Sequence, residues 1–322
     1  MTSTLLSSPV GGTLAHALAS RTVVLDGGLA THLETRGHDL SGDLWSAALL
    51  STDPGAVREA HADYLRAGAE VLVTASYQAS VAGFAHVGLD RPQALALLAR
   101  SVEVARQACA DTGAQAWVAG SVGPYGAVLA GGQEYTGDYV DPDWSDGPTM
   151  TVAALRAFHR ERMQALADAG ADVLACETVP AAAEVEALLL AAEDVGLPVW
   201  VSLTTVRDGA GVVRTRRGED AAEVFTLARG VAGVLAVGVN CCDPAGVQAA
   251  VEVAAGASGL PVVVYPNSGE TWDATTRGWL GEPDLDLAAV DGWVAGGARL
   301  VGGCCRVGPD QVRDLAAHLH DR

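Results

Sequence analysis

The sequence predicts an α/β fold: a single-domain (β/α)8 barrel of the TIM type. Three observations lead there. Short apolar runs rich in Val, Ala and Leu recur eight times, and the segments between them carry helical periodicity. The runs are apolar almost continuously rather than in alternation, as strands covered on both faces of a parallel sheet must be. Eight such units within 322 residues suit a closed barrel, which needs ~250 residues before insertions. A doubly wound open sheet is the runner-up, because periodicity does not register closure.

In chain order, the first strand is expected at 22–26, ending on Asp26 before Gly27-Gly28. An apolar segment at 45–50 leads to Asp53-Pro54, a side-chain cap with proline at the first helical position, and a helix to 67. Strand 71–76, helix 93–111 and strand 116–121 follow. The insertion 123–150, with Gly131-Gly132 and a polar run at 133–146, is too long for a plain connection and should cover one face as a lid or wall. Next come helix 152–169, strand 172–177, helix 182–195 and strand 198–204. An Arg-rich turn at 214–217 precedes helix 220–229, strand 233–240, helix 244–255 and strand 261–265. Helix 287–295, strand 298–301 and a terminal helix at 309–319 complete the series. Residues 1–20 read as an N-terminal extension and 21–322 as the barrel, with no composition shift to mark a second domain.

Composition narrows the function. With 49% hydrophobic and 18% charged residues the chain can bury a large core. A net charge of -19 without a basic cluster argues against nucleic acid and anionic membrane as partners, and weakly favours a cationic ligand. All 20 basic residues are Arg. The absence of Lys excludes Schiff-base aldolases, pyridoxal-phosphate enzymes and P-loop nucleotide sites, each of which needs one. The first twenty residues lack a basic start and are interrupted by Pro9, Gly11 and Gly12, unlike a signal peptide. No apolar run approaches the ~18 residues of a membrane span. Six cysteines, four of them in adjacent pairs, do not form a secreted disulfide pattern, so a cytoplasmic, reducing location is expected.

Polar residues gather where the expected strands end: Asp26, Ser76-Tyr77-Gln78, Ser121, Glu177-Thr178, Thr204-Thr205, Asn240-Cys241, Asn267-Ser268 and Cys304-Cys305. In a barrel these meet at one mouth, where active sites of this fold lie. Cys304 and Cys305, with Cys241 as a third ligand, read as a metal site. Structural zinc uses C-x2-4-C knuckles, absent here, so an open, catalytic site is the better reading. Neighbouring side chains on an extended strand point to opposite faces, so both thiolates reach one ion only across a sharp turn, which Gly302 and Gly303 permit. Cys109 and Cys176 read as small buried apolar residues. The alternative is a vicinal-thiol redox or metal-sensing protein in which Cys304 and Cys305 form a disulfide.

These stretches carry a resemblance. Leu25-Asp26-Gly27-Gly28, Thr74-Ala75-Ser76-Tyr77-Gln78-Ala79, Gly120-Ser121-Val122-Gly123-Pro124-Tyr125-Gly126, Glu177-Thr178-Val179-Pro180, Gly238-Val239-Asn240-Cys241, Tyr265-Pro266-Asn267-Ser268-Gly269-Glu270 and Gly302-Gly303-Cys304-Cys305 make the chain, over 22–315, resemble the homocysteine S-methyltransferase family. The second and sixth look more like its S-methylmethionine branch than its betaine branch. The resemblance implies Zn2+ on Cys241, Cys304 and Cys305, the thiol of L-homocysteine as acceptor in the fourth position, and a sulfonium methyl donor: S-methylmethionine, or S-adenosylmethionine if there is room. It also implies substrate contacts from Asp26, Gly27, Gly28, Ser76, Tyr77, Glu177, Asn240 and Asn267. Glu177 would take the ammonium while Asp26 shapes its loop. The Gly27-Gly28 amides could reach the carboxylate or simply make a turn, and Tyr77 could face the sulfonium or serve the core. Cys242 stands beside the expected ligand and should point away; none of the eight His is expected on the metal. Apart from Arg306, no basic residue falls within the strand-end stretches, which speaks against betaine, whose carboxylate would need one.

Overall fold

The apolar runs form eight strands, which we label β1 (Val23–Val24), β2 (Val71–Val73), β3 (Trp117–Val122), β4 (Val173–Val179), β5 (Val199–Leu203), β6 (Val234–Asn240), β7 (Val262–Tyr265) and β8 (Ala298–Val301). The structure is a computed structural model and describes residues 12–40, 46–129, 131–273, 278–280 and 285–321. All neighbouring strands are parallel, in the order β1-β8-β7-β6-β5-β4-β3-β2. A parallel bridge between Leu25 and Val71 joins the two ends. The sheet therefore closes as a barrel rather than lying open. β1 is short because a side chain takes over part of its ladder: Val24 N–H donates to Glu70 Oε2 at 3.1 Å, and Arg21 holds that carboxylate by two bonds of 2.6 and 2.9 Å.

Alternation along each strand divides the core in two. Trp117, Ala119, Val173, Ala175, Trp200, Ala236, Val263 and Leu300 fill the barrel interior. Val118, Leu174, Val201, Val264 and Val301 point outward into the layer shared with the helices. Ala175 and Ala236 flank Trp200 in register on the two neighbouring strands, so small side chains make room for the large one. The helix Leu14–Ser20, started by Thr13 Oγ1 accepting from His16 N, adds Leu14, Ala17 and Leu18 to the interior cluster. With the interior packed, open space is left at the strands' C-terminal ends.

Most expected elements are present with ends displaced by a few residues. β2 stops at Val73: Thr74 N–H still donates to the Ala119 carbonyl at 3.0 Å, but beyond it the Thr74 hydroxyl takes over, accepting from Ser121 N–H at 3.0 Å and bonding Ser76 Oγ at 2.7 Å. The helix Val81–His86, capped by Ser80, was not expected, since six residues are too few to show a period. The Arg-rich turn is part of an antiparallel hairpin, Thr205–Arg207 with Val213–Thr215. The apolar segment at 45–50 falls in helix Ser46–Thr52, with Trp45 outside the described residues.

The insertion holds a short helix, Tyr125–Val128, and two 3-10 turns, Gln133–Tyr135 and Asp138–Val140. It is moored to the barrel's outer helices by the fully buried Glu184. Its carboxylate accepts from Tyr125 N–H at 2.7 Å, from the Tyr139 hydroxyl, and pairs with His159 Nε2 at 2.9 Å. Arg217 adds a second tie through Asp138 and Asp141.

His61, on helix Pro54–Arg66, is fully buried with neither ring nitrogen hydrogen-bonded, and burial drives its pKa from 6.5 to about 4. The unfolded chain, where this ring titrates near ~6.5, thus binds more protons than the folded chain between those values. Its contribution is complete above that pH and is lost as pH falls toward 4, at up to about 1.4 kcal/mol per pH unit. His61→Leu should flatten this part of the stability-pH curve in urea titrations between about pH 4 and 7. An unchanged slope would refute the assignment.

Candidate active site

Backbone conformation brings the thiols together. After β8 the chain makes a β-turn in which Val307 N–H donates to the Cys304 carbonyl at 3.1 Å, with Arg306 at φ 68° in the turn's third position. That position favours glycine, yet it is Arg306 that bends the chain, and Cys304 and Cys305 face one space across the bend. Gly302 and Gly303 do not supply the turn, contrary to expectation. They are needed for close approach: a Cβ on Gly302 would lie 2.5 Å from the Leu25 Cβ, and one on Gly303 2.2 Å from Val307 Cγ1. Cys241, at the end of β6, also has a left-handed φ of 48° and turns its sulfur to the same space. Cys242 packs into the outer apolar layer, and burial pushes its thiol up to about 12.

The Cys241 Sγ lies 2.6 Å from Cys304 Sγ and 3.8 Å from Cys305 Sγ, and all three sulfurs fall within 4.8 Å of one another. Cys304 is pushed well up by its hydrogen bonds to the other two thiols and by burial, whereas the same bonds hold Cys305 well below the usual thiol range. Three soft donors converging on open space fit a thiophilic metal ion with a vacant position, and not a hard ion such as Mg2+.

The cysteines line a cavity of about 130 Å³ together with Asp26, Gly27, Gly28, Tyr77, Glu177 and Asn240. Glu177 is buried; the Ser121 hydroxyl donates to its Oε1. Loss of water, reinforced by Cys241, raises its pKa to about 7 against the opposing effects of Ser121, Tyr265 and Arg162. Asp26 is raised well above the carboxylate range by burial, although Val73 N–H donates to its Oδ2 at 2.8 Å. Asn240 lines the cavity with its amide already engaged. Its Oδ1 accepts from Thr178 N–H at 2.7 Å and Ser202 Oγ at 2.8 Å, and its Nδ2 donates to Thr178 Oγ1 at 2.7 Å. It thereby fixes Thr178, at φ 62° beside Glu177, in the irregular part of β4.

The Gly28 amide donates to the Val307 carbonyl at 2.9 Å, and a Cβ there would lie 2.5 Å from the Cys304 carbonyl oxygen. Glycine at 28 is thus required for contact with the cysteine loop. Ser76 and Asn267 do not line the cavity. Ser76 donates to the Ser121 carbonyl at 2.8 Å and serves the framework, while Asn267 N–H donates to the Cys242 carbonyl.

Four residues of the site escaped the sequence reading. Arg162, fully buried on helix Val152–Asp168, donates to the carbonyls of Gly123, Ser76 and Tyr77 at 2.9, 2.9 and 2.6 Å, holding two strand-end loops together. Its burial lowers its pKa to about 10. An Arg on the same helix face as Leu155, Met163 and Leu166 was the available signal. Tyr135, from the insertion, lines the cavity together with Cys241. Glu134, next to it, is also buried. Arg216, from the hairpin, lies 5.3 Å over the Tyr135 ring and bonds Thr204 Oγ1 at 3.2 Å. A basic group therefore does stand near the mouth, which removes the charge argument against betaine. Arg306 is taken up by Glu270, through bonds of 3.0 and 2.9 Å.

The family model described as homocysteine S-methyltransferase matches residues 23–319. The chain belongs to the homocysteine S-methyltransferase family. It is a methyltransferase on a (β/α)8 barrel, as the strand-end motifs implied. The homocysteine S-methyltransferase of Escherichia coli (strain K12) is 46% identical over 306 residues, covering 92% of this chain and 94% of that protein. The selenocysteine methyltransferase of Astragalus bisulcatus is 39% identical over 335 residues, covering 96% of each. Among solved structures, the metallated form of the homocysteine methyltransferase MmuM from Escherichia coli aligns with a TM-score of 0.80 at 42% identity, over 94% of this chain and 98% of that one. A redox or sensing role for the vicinal thiols is not favoured beside this match. No described helix is long and apolar enough to cross a membrane.

Single replacement of Cys241, Cys304 or Cys305 by Ala should each abolish stoichiometric metal binding, because two thiolates do not hold the ion. Cys242→Ala should keep it. Metal analysis of the purified variants checks this, and a metal-free Cys242→Ala beside a loaded Cys241→Ala would reverse the ligand assignment.

Proposed function

We propose that this chain transfers a methyl group from a sulfonium, S-methylmethionine foremost, to the thiol of L-homocysteine, with Zn2+ held by Cys241, Cys304 and Cys305. The observation that carries this reading is the convergence of three thiols on a cavity that also contains a buried, chargeable Glu177. Zinc bound there would stand in for the acceptor's thiol proton, so that the sulfur is nucleophilic at neutral pH.

The remaining chemistry belongs to the chain. Glu177, oriented by Ser121 and Tyr265, takes the homocysteine ammonium, and the arriving cation offsets the desolvation that raises its pKa. The substrate carboxylate goes to the Gly27 amide, a reading supported by Gly27 lining the cavity while the Gly28 amide is committed to Val307. Asp26 braces the first loop through Val73. Tyr77 and Tyr135 offer rings to a cationic donor. In the transfer the acceptor thiol gives up its proton and its sulfur forms the new S–CH3 bond. The donor C–S bond breaks with its electron pair retained on the donor sulfur, and homocysteine plus S-methylmethionine become two methionines. Charge is quenched in this step, which the enclosing insertion favours by excluding water. Ligand thiols must stay reduced, which accords with a cytoplasmic setting.

The test is zinc-loaded protein assayed with homocysteine against S-methylmethionine, S-adenosylmethionine and betaine. The highest kcat/KM is expected for S-methylmethionine, and a clear preference for betaine would overturn the donor assignment. Glu177→Gln should raise the KM for homocysteine at least about tenfold, the loss of one charge-assisted hydrogen bond of about 1.5–3 kcal/mol, with metal content unchanged. An unaltered KM would remove Glu177 from the ammonium site.

A further inference from the structure

Between the apolar interior and the cavity lies a chain of hydrogen bonds whose direction can be read from its two ends. It runs through Trp200 and Ser202 on β5, Asn240 at the end of β6 and Tyr265 at the end of β7, all of them buried. Tyr265 belongs to the interior cluster and also lines the cavity, and Asn240 is its register partner on the neighbouring strand. Trp200 Nε1 lies 3.0 Å from the Tyr265 hydroxyl, that hydroxyl 2.7 Å from Ser202 Oγ, and Ser202 Oγ 2.8 Å from Asn240 Oδ1.

Both ends of the chain can only donate. Thr178 N–H donates to Asn240 at 2.7 Å, which makes the atom facing it the amide oxygen, and Ser202 must spend its one proton on that same oxygen. Trp200 Nε1 likewise has a proton to give and accepts none. With all these bonds made, Tyr265 donates to Ser202, and its phenol oxygen keeps a lone pair for the cavity. Glu177 lines the same cavity, shares its peptide bond with Thr178 N–H, and lies within hydrogen-bond reach of the Tyr265 hydroxyl. Ser202 and Glu177 therefore compete for a single phenol proton. If the proton goes to Glu177, Ser202 turns to Tyr265 and Asn240 loses its second donor. An N–H group placed between Tyr265 and Glu177 ends the competition: it satisfies the carboxylate, gives a proton to the phenol oxygen and lets every bond of the chain form at once.

We propose that Tyr265 is a binding residue for the ammonium of the acceptor, its phenol oxygen accepting one N–H while Glu177 accepts another. The inference rests on the methyl-transfer reading above and adds to it the kind of cation that the seat takes. A neutral oxygen rewards a proton donor, and neither a sulfonium nor a trimethylammonium group offers an N–H. The seat thus accepts a primary ammonium and leaves the charged centre of the methyl donor outside.

The experiment compares zinc-loaded wild type with Tyr265→Phe by calorimetric binding of homocysteine and of 4-mercaptobutanoate, which is homocysteine without its amino group. Tyr265→Phe should lose about tenfold or more in affinity for homocysteine, as expected for one hydrogen bond to a charged group. It should bind 4-mercaptobutanoate as the wild type does and keep its zinc. Each protein is its own control, since a partly folded preparation weakens both ligands alike. Unchanged homocysteine affinity in Tyr265→Phe would overturn the inference. So would an equal loss for both ligands, or a loss of zinc, either of which would make the hydroxyl part of the framework only. A wild type that does not prefer homocysteine to 4-mercaptobutanoate would overturn the ammonium seat of the proposed function together with the part of Tyr265. A wild type that prefers it, beside a Tyr265→Phe variant that prefers it equally, removes Tyr265 alone.

Discussion

The site depends on a backbone that side-chain-bearing residues rarely adopt. Among the described residues the non-glycine positions with positive φ are Thr178 and Cys241, which line the cavity at strand ends, and Arg306, in the turn that follows Cys304 and Cys305. Each costs about 1–2 kcal/mol relative to the right-handed region. The surroundings hold them by hydrogen bonds: Asn240 grips Thr178 at two atoms, Cys241 N–H donates to the Tyr265 carbonyl, and Arg306 N–H donates to Thr31 Oγ1. Strain concentrated where the chemistry occurs, and offset by the rigid barrel around it, is the usual arrangement for a preorganised site. A straight β6 would point Cys241 elsewhere, and a straight chain at Cys304-Cys305 would point the two thiols apart.

A second constraint is the close approach of the first and last loops. Gly27, Gly28, Gly302 and Gly303 stand where any Cβ would meet backbone or a packed side chain at 2.2–2.5 Å. The Tyr64 hydroxyl closes the contact on the Val307 carbonyl at 3.1 Å. These glycines serve proximity rather than flexibility, which brings Asp26 and the cysteines to one wall. The opposite wall comes from the insertion, whose position is set by the buried Glu184 carboxylate outside the barrel together with Arg217 on Asp138 and Asp141. The site is thus built from strand ends on one side and a moored loop on the other.

Much of the first wall was legible in the sequence. Asp26, Glu177, Cys241, Cys304 and Cys305 stand directly after apolar runs, and in a closed parallel barrel that position alone places them at one mouth. The second wall was not, because nothing local tells that residues 134, 135, 162 and 216 return to it. They arrive through Glu184, Arg217 and helix packing, which are contacts across tens of residues. The reading also took Gly302 and Gly303 as a turn, since composition does not separate a glycine needed for positive φ from one needed for space. Ser76 and Asn267 sit in motifs with the right neighbours but outside the cavity lining, Ser76 because its hydroxyl is turned to the Ser121 carbonyl, a bond that no motif records.

Cys241 and Cys304 are 63 positions apart in sequence, and their strands, β6 and β8, are separated in the ring by β7. A chain on its way out of the ribosome therefore has no ligand trio until its last barrel strand is made and docked. Closing a loop of that length in the unfolded state costs entropy that grows only slowly with length, but the fold has met this cost by the time the sulfurs meet. Capture of a metal by the three thiols thus belongs to the end of assembly, and it would tie β6 to β8 across the intervening β7.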